Sequence, residues 1–172
     1  RSQFSGSSVS MDWFVEEEPL GTGGSVSNAV IKKKLTGFVL ITTADTWLES
    51  GLREMIRVKF PTIGIVKVKD KSRYGSISLD KNGYIKRFEE KNLDLATDQS
   101  GYINGGLYKL PTSLFYKVSC KSFSLEKKIL PKLSESKVLR SLLIEGQFFD
   151  IGIPNDYYKY CDWINLGKKN YG

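Results

Sequence analysis

The side chains in this sequence best equipped for chemistry are carboxylates. Asp45 closes the apolar run FVLITTAD (38–45), and Asp150 follows two aromatics in FFDIG. An acid in so apolar a setting needs a partner, because an unpaired buried charge is very costly. The chain has no histidine, which removes imidazole acid–base and triad chemistry. Cys120 and Cys161 are the only cysteines, so a Cys/His zinc site and a disulfide scaffold are also excluded. Two acids at strand ends then suit a hard cation of the Mg²⁺ type, which takes one or two carboxylates and otherwise water and phosphate oxygens. For Asp45 the competing reading is a helix N-cap.

Two further stretches could serve such a site. EEEPLGTGG (16–24) runs three acids into a glycine-rich segment ahead of SVSNAVIKKK. Glycines before a helix let backbone N–H groups approach a phosphate or a base edge, and a plain turn explains them equally well. In FEEK (88–91), Glu90 and Lys91 could hold a sugar hydroxyl and a phosphate together, or could form a surface ion pair.

The elements that must position these residues follow from periodicity. VSMDWFV (9–15) alternates and reads as a strand; Gly21 to Gly24 then turn the chain into a helix from Ser25 to Lys34. FVLITTAD has the pattern of a buried parallel strand delivering its acid at the C-terminal edge. Residues 48–60 have helical spacing, with Leu52, Met55 and Ile56 on one face, and TIGIVKVKD (62–70) is another strand. The Asn82-Gly83 pair marks a hairpin within 75–91. GYINGGLYKLP (101–111) is a strand whose internal glycines signal close backbone approach. Residues 124–136 are helical and broken at Pro131, 142–154 form two short strands, and 155–166 is a last helix capped by Asn155. Strands alternating with helices, with hairpins later, indicate one α/β domain over 1–172 with a mixed sheet.

Composition fits that reading. With 40% hydrophobic and 26% charged residues the chain can build a core, and no run approaches the ~18 apolar residues of a membrane span. The net charge of +7 would suit nucleic acid only if the cations were clustered. Lys32 to Lys34, the densest group, instead complement the end of a helix. Neither nucleic acid nor a membrane is expected as a partner.

The motifs EEEPLGTGG, ADT, YG, FEEK, INGGLY, FSLEKKILP and FFDIGIPNDY, in that order, resemble those of the sugar-1-phosphate nucleotidyltransferases from about Val9 to Trp163. The pattern is most similar to the guanylyltransferases of D-glycero-D-manno-heptose 1-phosphate and mannose 1-phosphate. The resemblance implies a Rossmann-like α/β fold with a mixed, mainly parallel sheet. It implies transfer from a nucleoside triphosphate to a sugar 1-phosphate, giving an NDP-sugar and pyrophosphate, with Mg²⁺ as cofactor. It also implies a cytoplasmic place in surface-polysaccharide synthesis.

By the same resemblance Asp45 and Asp150 hold the metal and Lys91 contacts the sugar phosphate. Gly75, Glu90 and Asn104 line the sugar pocket, and Glu126 adds a hydroxyl acceptor. Glu16 falls where related enzymes read the base, with Leu20, Gly21 and Thr22 closing over it. A carboxylate there can accept from the N1–H and exocyclic amine of guanine, which favours GTP.

The sequence departs from the family pattern in two places. Ala44 stands where the family has glycine before the metal-binding Asp. The family's GGxGTRL-type loop, which holds the triphosphate, is absent from these residues. The expectation is a domain without the first β-α unit of the family, either homo-oligomeric or completed by an N-terminal partner segment. The alternative is a non-catalytic relative that binds a nucleotide or NDP-sugar.

Overall fold

A computed structural model describes residues 10–71, 74–89, 100–118 and 122–167. The chain opens with helix α1 (Gly21–Lys32), followed by strands β1 (Phe38–Thr42) and β2 (Thr46–Leu48), helix α2 (Leu52–Arg57) and strand β3 (Thr62–Val68). A hairpin of β4 (Ser76–Leu79) and β5 (Ile85–Glu89) leads to the long β6 (Gly101–Pro111). Three short helices follow: α3 (Ser113–Tyr116), α4 (Leu125–Lys128) and α5 (Leu130–Glu135). Strands β7 (Arg140–Leu143) and β8 (Phe148–Asp150) precede the closing helix α6 (Pro154–Asn165).

The main sheet runs β5-β4-β6-β3-β7, with β1 also paired to β6. It is mixed, as expected, but among the described residues only β3 and β7 pair in parallel. The other ladders, β1–β6, β3–β6, β4–β5 and β4–β6, are antiparallel. Because β1 and β3 both run against β6, they point the same way, and β7 joins them. The C-terminal ends of β1, β3 and β7 therefore open onto one edge of the sheet, where ligands of α/β sheets are bound. A separate two-stranded ribbon pairs β2 with β8.

Alternation along β6 builds a core on each face. Tyr108 and Leu110 join Val30, Phe115, Leu125 and Leu130 under the helical face. Ile103 and Leu107 point the other way, toward Met55, Val66 and Ile144. The hairpin turns as its sequence demands: Gly83 has φ +79°, and the Asp80 carboxylate accepts from the N–H groups of Asn82 and Tyr84 at 2.8 and 2.9 Å.

Several local expectations are corrected. Residues 10–15 form no strand; Trp13 and Val15 are exposed, and among the described residues no strand pairs with them. Residues 21–24 are the first turn of α1 rather than a turn ahead of it, because the Phe123 carbonyl accepts from the N–H groups of Gly23 and Gly24 (3.0 and 3.3 Å). A side chain on Gly23 would run into the Phe123 ring, so this glycine serves close packing. β1 is not a buried parallel strand: Phe38 and Leu40 are exposed and its partner β6 is antiparallel. The helix expected over 48–60 is confined to α2, since Thr46–Leu48 pairs with β8. Pro131 sits in the first turn of α5, where its missing N–H costs nothing. Asn155 does not cap α6; Ile153 holds that position, with Pro154 starting the helix.

Candidate functional site

The turn after β1 is fixed by Gly106 on β6. Thr43 N–H donates to the Gly106 carbonyl at 3.0 Å, and a Cβ on Gly106, which has φ +70°, would strike the Thr43 hydroxyl. Thr43 in turn donates to the Thr46 hydroxyl at 2.8 Å. This places Asp45 at the start of the β2–β8 ribbon, where Thr46 lies opposite Asp150. The two acids converge on Gly152: a Cβ there would sit 3.4 Å from Asp150 Oδ1 and 3.4 Å from Asp45 Oδ2. No more than twice that distance separates the two oxygens. Asp45 is exposed and Asp150 half-buried. Among the described residues no group of three or more Asp, Glu, Cys or His could hold a metal. Two carboxylates facing a gap that any side chain at 152 would narrow fit a hydrated hard cation such as Mg²⁺.

Beside this pair lies a hydrogen-bond network centred on Tyr108. Asn104 Nδ2 donates to the Tyr108 hydroxyl at 2.6 Å, and that hydroxyl donates to Glu126 Oε1 at 3.0 Å. The other oxygen of Glu126 accepts from Thr22 at 2.7 Å and from Ser124 at 2.8 Å. Thr22 Oγ1 accepts from the Leu125 N–H at 2.9 Å. Burial works to raise the Glu126 pKa, but donors from Thr22, its own backbone, Ser124 and Tyr108 together hold it below the ordinary value. Tyr108 is buried, and this, together with the Glu126 charge, pushes its pKa far up, so the phenol stays protonated. The Asp45 charge adds the smallest share to that effect.

Gly75 lies one residue beyond the Ser76–Ile103 pair, at the level of Asn104. The structure thus brings Asp45 and Asp150 together, links Asn104 to Glu126 through one phenol and Thr22 directly to the same carboxylate, and places Gly75 just before the β4–β6 pairing. Glu90 and Lys91 lie outside the described residues. Tyr108, Ser124 and Gly152 carry no signal in the sequence that separates them from core or turn residues, whereas the close backbone approach expected of the internal glycines of β6 is made by Gly106 against Thr43.

Glu16 stands at the entrance to α1. Its Oε2 accepts from the Leu20 N–H at 2.9 Å, and its pKa is lowered by the Ser25 hydroxyl and then by this amide. The Ser25 hydroxyl itself donates to the Gly21 carbonyl at 2.8 Å. Val15, Glu16, Leu20, Asn28 and Lys32 line a groove of about 340 Å³. The N–H groups of Gly23 and Gly24 are taken by Phe123, so the phosphate or base contact expected of the glycine segment falls to Gly21 and Thr22 at most.

A helix-flanked mixed sheet, with Asp45 and Asp150 brought close at the β2–β8 ribbon, is consistent with the nucleotidyl transferase class. The sequence profile of that family matches residues 1–164, and the chain belongs to it. It is 29% identical over 154 residues to the D-glycero-alpha-D-manno-heptose 1-phosphate guanylyltransferase of Campylobacter jejuni, covering 88% of this chain and 66% of that protein. The corresponding enzyme of Aneurinibacillus thermoaerophilus is 32% identical with the same coverage. The mannose-1-phosphate guanyltransferase of Pichia angusta is 33% identical over 94% of this chain and 46% of its own length. The crystal structure of HddC from Yersinia pseudotuberculosis complexed with GMP-PN matches with a TM-score of 0.77 at 31% identity, over 95% of this chain and 72% of that one. These findings bear out the family resemblance and the α/β fold. The chain spans from under half to about two thirds of the length of the three guanylyltransferases. Among the described residues no helix is long and apolar enough to cross a membrane.

Proposed function

We propose that the protein transfers a guanylyl group from GTP to a sugar 1-phosphate. An oxygen of the sugar phosphate attacks the α-phosphorus in line. The bond from that phosphorus to the oxygen bridging the β-phosphate breaks, and the products are an NDP-sugar and pyrophosphate. Little covalent work is asked of the protein; the rate comes from positioning and charge neutralisation.

The observation that carries this reading is the convergence of Asp45 and Asp150 on Gly152. These two carboxylates would hold Mg²⁺, whose chemistry is to neutralise phosphate charge and orient its oxygens. Glu16, Leu20, Gly21 and Thr22 would receive the base. The choice of guanine rests on the Glu16 carboxylate as an acceptor and on the GTP-using names of the relatives. Asn104, Gly75, Glu126 and Glu90 would bind the sugar, and Lys91 its phosphate. A cytoplasmic setting, and either homo-oligomeric assembly or completion by an N-terminal partner segment, belong to the same proposal.

The test supplies the protein with Mg²⁺, GTP and either mannose 1-phosphate or the heptose 1-phosphate. Pyrophosphate release and the mass of the NDP-sugar are followed together. Formation of GDP-sugar that is lost in Asp45→Asn and Asp150→Asn supports the proposal. Tight binding of GDP-mannose by calorimetry, with no pyrophosphate released from any nucleoside triphosphate, makes the protein a non-catalytic binder instead.

A further inference from the structure

The geometry points to Tyr108 as a positioning residue that couples the nucleotide segment at Thr22 to the sugar-facing Asn104. This inference rests on the function proposed above.

The direction of every proton in the network is settled by its ends. Asn104 Oδ1 accepts from the Gly106 N–H at 2.9 Å. The nitrogen of that amide must therefore be the atom 2.6 Å from the Tyr108 hydroxyl, and it donates. Tyr108 then has its single proton left for Glu126. At the other end Thr22 Oγ1 accepts from the Leu125 N–H, so its own proton goes to Glu126. Both branches run into one carboxylate, which stays ionised between them. No member can reverse without leaving a neighbour's donor or acceptor unmet, and Tyr108 is 1% exposed, where such a loss is expensive.

The two ends belong to different ligands. Thr22 is exposed on the first turn of α1, and Asn104 is half-buried on β6 beside the turn that carries Asp45. A nucleotide that engages the Thr22 hydroxyl changes what Glu126 accepts, and because the network has one proton arrangement the change is passed through Tyr108 to the Asn104 amide. The amide is thereby set for the sugar phosphate by the bound nucleotide. Reciprocity follows from linkage: bound sugar phosphate strengthens nucleotide binding by the same factor. The phenol touches neither ligand in this account; it acts through Asn104 and Glu126.

The experiment measures GTP and mannose 1-phosphate affinities by calorimetry with Mg²⁺, each alone and each with the other saturating, using a GTP analogue with a methylene bridge between the α- and β-phosphates for the ternary complex. The proteins are the wild type, Tyr108→Phe and the surface variant Thr22→Val. The expected wild-type result is a several-fold mutual strengthening that falls to near unity in both variants. Tyr108→Phe should also weaken mannose 1-phosphate alone by about tenfold, the scale of a lost hydrogen bond in a buried network. Nucleotide affinity in the absence of sugar phosphate should stay within about twofold of wild type in Tyr108→Phe. Coupling that survives in either variant, or is absent from the wild type, overturns the inference and leaves the proposed function standing. A wild type that binds neither GTP nor the analogue overturns both.

Discussion

Asp45 and Asp150, 105 positions apart in the chain, each place a carboxylate oxygen 3.4 Å from the spot where a Cβ on Gly152 would stand. The gap between them belongs to a glycine. Gly152→Ala is therefore expected to raise the Mg²⁺ concentration needed for half-maximal turnover by roughly tenfold or more. Its unfolding midpoint in urea should stay close to wild type, since the backbone at this position is not in the left-handed region. A variant with ordinary Mg²⁺ dependence would place the metal elsewhere.

Removing a carboxylate outright is harsher. Asp150→Asn keeps size and shape and should lower turnover by about 10²–10³-fold at saturating Mg²⁺, the usual scale of losing one preorganised electrostatic group. Far-UV circular dichroism should match wild type. An Asn variant within threefold of wild-type turnover would remove Asp150 from the reaction.

Base choice is expected to follow Glu16. Glu16→Gln should weaken GTP binding by roughly tenfold while UTP and dTTP change little, because an amide offers the two guanine donors one acceptor oxygen where a carboxylate offers two. Calorimetry with the three nucleotides separates the cases. An equal loss for all of them would mean that Glu16 acts through its bond to the Leu20 amide and the start of α1.

Packing at the start of α1 gives a stability prediction. The Phe123 ring lies where a side chain on Gly23 would go. Gly23→Ala should cost about 1–3 kcal/mol, the range for overpacking a close contact, read as a lower urea midpoint. A neutral effect would show that the 122–124 segment can retreat without loss.

Glu126 supplies a pH dependence with a defined sign. Its folded pKa lies below the ordinary value of 4.5, so the unfolded chain takes up the proton first as pH falls. The stability it contributes is complete above that ordinary value and is lost as pH drops through the folded pKa. Urea midpoints between about pH 6 and pH 3 should fall more steeply for wild type than for Glu126→Gln. Parallel curves would show that the donors around Glu126 favour neither protonation state.

Elements governed by neighbours close in sequence were legible before any fold was known. The Asn82-Gly83 turn needs only Asp80 and a glycine at positive φ, and both lie within the turn. A shared place for Asp45 and Asp150 was also expected from their residue types at strand ends, and both lie against Gly152. What escaped was set from far away in the chain. Residues 21–24 look like a turn until the Phe123 carbonyl supplies the acceptor that lets them be helical. β1 looks buried and parallel because its apolar run cannot reveal that β6 will lie against it in reverse. Tyr108 reads as one more core aromatic of β6. Its hydroxyl acquires a role only when Glu126, 18 residues on, turns inward to meet it.

The ribbon that carries Asp150 has only three residue pairs, with Trp47 opposite Phe149 between Thr46–Asp150 and Leu48–Phe148. Side chains alternate along a strand, so a slip of one residue would put Phe149 where Asp150 now stands. Against that slip stands an aromatic anchor: the Phe149 ring lies 6.0 Å from Trp47, 5.6 Å from Tyr160 and 5.6 Å from Trp163. Grease, in this protein, sets the address of a charge, and a mutation that merely shrinks Phe149 should be felt first by whatever the neighbouring carboxylate was meant to hold.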